Sequence, residues 1–132
     1  NQLTEDEVEL RNYYRRVLTL CNTEAALREG TFFDLMYANY DNPLMDTNHQ
    51  YGFLRMKDDE LVLVVANFED KPVETSVIIP QHAFEYMHIQ PSNGKVRATD
   101  LLSGEQLNLT LHPDYPVRTT LPALGGRVVK FK

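Results

Sequence analysis

Two hydrophobic periods divide the chain. Leu10, Tyr13, Tyr14, Val17, Leu18 and Cys21 recur at the spacing of one helical face, while Glu9, Arg11, Arg15, Arg16 and Thr19 fall mainly on the other. Thr4 with Glu7 three positions on forms a capping box, and Leu3 and Val8 stand where a hydrophobic staple closes over it. An amphipathic helix is expected to start there. It frays near Asn22, and Thr23 caps a further short turn, "EAALRE", which Gly30 ends by taking the left-handed conformation.

Beyond Gly30 the period shortens to two, and turn signals recur about every eight to twelve residues, the pattern of a small all-β sandwich. The expected strands are Thr31 to Tyr37, Tyr51 to Met56, Leu61 to Phe68, Val73 to Ile79, Lys95 to Asp100, Gln106 to Leu111 and Arg127 to Phe131. "KDDE" at Lys57 to Glu60, "EDKP" at Glu69 to Pro72, and Ser103-Gly104 supply hairpin turns, so antiparallel pairing is predicted. Two connections are longer. Ala38 to His49 is rich in Asn and Asp, broken by Pro43, and reads as a surface loop; between Pro80 and Pro91, Ala83, Phe84 and Met87 have the spacing of a short helix over one end of the sandwich. The fold class is therefore all-β, an antiparallel Greek-key-like sandwich (31–132) preceded by one amphipathic N-terminal helix and a short helical turn (1–30).

One strand breaks the alternation. In "LVLVVANF", Leu61, Leu63 and Val65 line one face and Val62, Val64 and Ala66 the other, so both faces need cover. Each aliphatic side chain left wet forgoes roughly 1.5 to 3 kcal/mol. The apolar stripe from Leu10 to Cys21, or a neighbouring domain, is expected to supply that cover.

Composition narrows the function classes. At 132 residues the chain is one domain, or a small domain with an appendage. A formal charge of -6 without a basic stripe disfavours nucleic acid as a partner. No apolar run approaches the roughly 18 residues of a membrane span. Cys21 stands alone, which excludes an internal disulfide and a cysteine-built zinc site. A start at Asn1 without a methionine or a signal pattern fits an excised piece of something longer.

The segments "LRNYYRRVLTLCNTEAALREGTF", "YGFLRMKDDELVLVVANFEDKPVETSVIIP", "ATDLLSGEQLNLTL" and the closing "GRVVKF", in that order, resemble the C-terminal end of the α-amylase family of glycoside hydrolases. The resemblance covers nearly the whole chain apart from the Ala38 to His49 loop and the Pro80 to Pro91 segment. It implies that Thr4 to Asn22 is similar to the last helix of a catalytic (β/α)8 barrel and that the remainder is the sandwich that follows it. Such enzymes cleave with a pair of carboxylates, and these belong to barrel motifs that precede the matched region. No catalytic residue is carried over to this chain. The implied partner is the barrel of the same parent chain, and an exported parent, secreted or periplasmic, is favoured.

Asp58, Asp59 and Glu60, and Glu69 and Asp70, sit in predicted tight turns, where carboxylates are ordinarily solvated. His49, His82, His88 and His112 lack helical metal-ligand spacing, and Asp41, Asn42, Asp46 and Asn48 lack the pattern of a calcium loop, so no metal or cofactor is expected. Asn108-Leu109-Thr110 matches a glycosylation acceptor. Tyr37, Asn39, Tyr40, Asp41 and Asn42 combine rings that stack on a sugar with polar groups for its hydroxyls, although the chain has no tryptophan. The leading reading is a non-catalytic sandwich that stabilises and covers an α-glucan-processing barrel. The alternatives are an independent carbohydrate-binding module for starch-like oligosaccharides and a protein-interaction sandwich. A bared helix stripe is also expected to favour a homodimer.

Overall fold

Lys57 pairs with Glu60, and from that pair two long strands run antiparallel, β2 (Gln50–Lys57) and β3 (Glu60–Asn67), in the register Gln50↔Asn67 through Lys57↔Glu60. A computed structural model describes residues 30–57 and 60–131, together with Glu5 and Arg15, both helical. The other described elements are β1 (Thr31–Asp34), α1 (Met36–Asn39), β4 (Val73–Val77), α2 (Gln81–Met87), β5 (Lys95–Asp100), β6 (Gln106–Thr110), β7 (Val117–Leu121) and β8 (Gly126–Phe131). They form an antiparallel sandwich. One sheet has six strands in the order β1-β2-β3-β8-β5-β6, and the other pairs β4 with β7. Among the described residues no helix is long and apolar enough to cross a membrane.

β3 lies inside the large sheet, between β2 and β8, and each of its faces meets a different hydrophobic cluster. Leu61, Leu63 and Val65 point into the main core with Leu54, Val129 and Phe131, facing Val77, Val117 and Leu121 of the small sheet. On the opposite face Val62 is fully buried with Val128, and half-buried Val64, Leu101 and Leu102 pack against them. The unbroken apolar run is thus the signature of a strand covered on both sides. The helix expected to cover this second face lies outside the described residues, apart from Glu5 and Arg15.

Three sequence expectations need correction. "EDKP" does not close a hairpin, because among the described residues β4 pairs only with β7, in the second sheet; the segment carries the chain from one sheet to the other. An eighth strand, β7, was not expected. It alternates buried and exposed residues from Val117 to Leu121, but Pro116 and Pro122 bracket it and give its surroundings the look of a turn. The first strand stops at Asp34, where Asp34 Oδ1 accepts the Met36 N–H at 3.0 Å and the chain turns into α1 instead of running on to Tyr37.

Other expectations hold. Ala83, Phe84 and Met87 are the buried face of α2, which His88 ends in the left-handed conformation at φ 57°. The Ser103-Gly104 turn joins β5 to β6 in the register Thr99↔Gln106, and nearly buried Asp100 organises it. Its carboxylate accepts the N–H groups of Val128 and Leu102 and the Ser103 hydroxyl, and pairs with Arg127 Nη1 at 3.1 Å. Gly126 lets β8 approach β3, since a Cβ there would run into the Val65 carbonyl.

Candidate functional site

The loop before β2 is tied down by two asparagines. Asn39, fully buried at the end of α1, donates from Nδ2 to the carbonyls of Leu35 (2.7 Å) and Ile78 (3.0 Å), and its Oδ1 accepts the Ile78 N–H at 2.8 Å. Asn42 Nδ2 donates to Asn39 Oδ1 and to the Ser76 carbonyl, while its Oδ1 accepts the Leu44 N–H. Ser76 N–H in turn reaches the Leu44 carbonyl. These side-chain amides supply the hydrogen bonds that an irregular segment needs when it is pressed against a sheet.

Of the residues proposed to meet sugar, Asn39 and Asn42 therefore have their amides engaged inside the protein, and Tyr37, Tyr40 and Asp41 lie exposed around them. Tyr37 is 51% and Tyr40 67% exposed. The Tyr37 ring packs on Phe33, which also meets Tyr86 and His82 of α2. On the outer side of β1 and β2, Phe32, Phe53 and Tyr51 form a row with centroids 5.2 and 5.9 Å apart. Partial burial raises the Tyr51 hydroxyl above its ordinary pKa, with smaller contributions from Asp34 and Tyr40.

A second constellation lies where the same loop meets the β3–β4 connection. His49 Nδ1 stands 2.7 Å from Asp46 Oδ2 and 3.4 Å from Glu69 Oε1. The hydrogen bond to Asp46 raises the His49 imidazole above its usual pKa and lowers the Asp46 carboxyl. His49, Glu69, Asp70 and Lys71 line an open depression of about 400 Å³ beside them. Sequence spacing did not bring these groups together, because the ligand-type atoms come from two separate segments. The only available signal was the clustering of Asp46 with His49 three residues on. Asp58 and Asp59 lie outside the described residues.

Comparison with solved structures identifies the architecture. The chain matches the structure of AmyP in complex with maltose over 98% of its own length and 22% of that chain, at 15% identity and a TM-score of 0.63. The fold is one that α-amylases carry. An Anoxybacillus α-amylase matches over 93% of this chain and 22% of its own, at 17% identity and a TM-score of 0.59. The maltogenic α-amylase AmyB from Thermotoga neapolitana matches over 99% and 26%, at 8% identity and a TM-score of 0.63. The chain thus spans about a fifth to a quarter of the length of these proteins. No protein-family model matches it, and no curated protein sequence does.

Proposed function

We propose that this chain is the non-catalytic C-terminal β-sandwich of an α-amylase-like glycoside hydrolase acting on α-glucans, and that it stabilises and covers the catalytic barrel of its parent. The observation that carries this reading is the asymmetry of coverage: 98% of this chain falls within 22% of AmyP. On this reading residues 1–30 contribute the last barrel helix, and their apolar stripe lies between sandwich and barrel.

A second reading has an observation of its own. Tyr37 on α1 and Tyr40 just beyond it are exposed on backbone fixed by Asn39 and Asn42, and such fixed, exposed rings are what a carbohydrate-binding module presents. Two assays on the purified chain separate the readings: release of reducing sugar from soluble starch, and calorimetric titration with maltoheptaose. The barrel-support reading expects neither hydrolysis nor saturable binding. Binding that disappears in Tyr37→Ala or Tyr40→Ala favours the module, and starch hydrolysis by the pure chain overturns the non-catalytic assignment.

A further inference from the structure

We propose that Asp46, His49 and Glu69 form a binding site for a borderline divalent cation of the Zn²⁺ type. One ligand-type atom from each, the His49 nitrogen and one oxygen from each carboxylate, lies within 4.8 Å of the other two. Ligands about 2.0–2.1 Å from a tetrahedral ion stand about 3.3 Å from one another. The His49–Glu69 separation of 3.4 Å already has that value. The His49–Asp46 separation of 2.7 Å is that of a hydrogen bond, and both groups are about half exposed, so rotation of the Asp46 carboxylate opens it without disturbing packing. Binding requires Nδ1 to give up the proton it shares with Oδ2, to solvent from the imidazolium or to Nε2 from the neutral ring.

The backbone holds the three residues in place from both sides. Asp46 O accepts the N–H groups of His49 (3.0 Å) and Gln50 (2.8 Å), and Asp46 Oδ1 accepts that of Asn48, which leaves Oδ2 for the ion. The two segments are joined where Phe68 N–H donates to His49 O at 2.8 Å. Glu69 is fixed by its own N–H on Asn67 Oδ1 and by Leu124 N–H on its carbonyl. The depression lined by His49, Glu69, Asp70 and Lys71 gives an approach from solvent and room for water as the remaining ligand. An imidazole with two carboxylates suits Zn²⁺ and its neighbours, whereas Ca²⁺ and Mg²⁺ prefer oxygen alone. Lys71 limits the attraction of the site for cations, so moderate affinity is expected.

Calorimetry of the whole chain, stripped with EDTA and titrated with ZnCl2, is expected to show one saturable site. His49→Gln and Glu69→Gln each remove a ligand and are expected to weaken it by at least about 10- to 100-fold, the loss that removing a mere outer-shell partner of a ligand already causes. His112→Gln leaves it unchanged. Equal affinity in His49→Gln, no saturation below about 1 mM Zn²⁺, or tighter binding of CaCl2 than of ZnCl2 would each overturn the proposal. A readout on the unmodified chain guards against misfolded variants: Co²⁺ broadens or shifts the His49 ring resonances at lower concentration than those of His82, His88 and His112. Uniform effects on all four rings overturn the proposal as well.

Discussion

At the scale of the residue, single polar groups set the order of long connections. Asn39, itself fully buried, joins α1 to the segment after β4 through the Leu35 and Ile78 carbonyls and the Ile78 N–H. Asn39→Ala strands those groups, each at a cost of about 1–3 kcal/mol when buried and unpaired. We expect a loss of about 3 kcal/mol in urea unfolding, whereas Asp41→Ala, on the exposed side of the loop, changes stability by less than about 0.5 kcal/mol. Equal effects of the two would show that the loop is not held by Asn39. The sequence makes the loop legible as irregular and polar, but not which asparagines turn inward. That depends on Ser76 and Ile78, distant in the chain, whose backbone groups lie opposite. Tyr37, on α1 against Phe33, and Tyr40, just beyond the helix, stand exposed beside them.

At the scale of the element, the β5–β6 turn is where local sequence and tertiary structure agree most closely. In "DLLSGE", Gly104 takes φ 80°, Ser103 bonds to Asp100, and the Asp100 carboxylate also holds β8 through Val128 N–H and Arg127. Arg127 adds Glu105 at 2.9 Å and the Thr120 carbonyl at 2.8 Å, so one turn ties β5, β6, β7 and β8 together. Asp100→Ala removes the partner of a largely buried cation and four accepted hydrogen bonds, and is expected to cost about 3–5 kcal/mol. Arg127→Ala, which leaves the carboxylate its three protein donors, costs about 2 kcal/mol. Urea midpoints in the reverse order would overturn this ranking. Most strands were legible from their two-residue period and turn residues. The pairing partners of β4 and β7 were not, because alternation says which face is buried and nothing about which sheet a strand joins. "EDKP" has the residues of a tight turn and serves a crossing between sheets instead. β7, with a clean alternation of its own, was hidden by the prolines at its two ends.

At the scale of the whole molecule, the question is whether the large sheet has one buried face or two. In a sandwich that stands alone, the outward residues of a central strand meet water, and a charge there is cheap. Val62 is instead fully buried, as are Leu61 and Leu63 on the core side, while Phe32 on the outer side of β1 is 45% exposed. A carboxylate buried without a partner at Val62 must either be neutralised or force the covering layer away. We therefore expect Val62→Asp to cost more than about 4 kcal/mol, close to the effect of Leu63→Asp, and Phe32→Asp to cost less than about 1 kcal/mol. Thermal and urea unfolding of the three variants measures the difference. If Val62→Asp behaves like Phe32→Asp, the outer face is wet in solution and the strand is covered from one side only. If Val62→Asp instead behaves like Leu63→Asp, the second layer that this chain itself lays over the sheet, Val128 with Val64, Leu101 and Leu102 among it, is part of the stability of the fold.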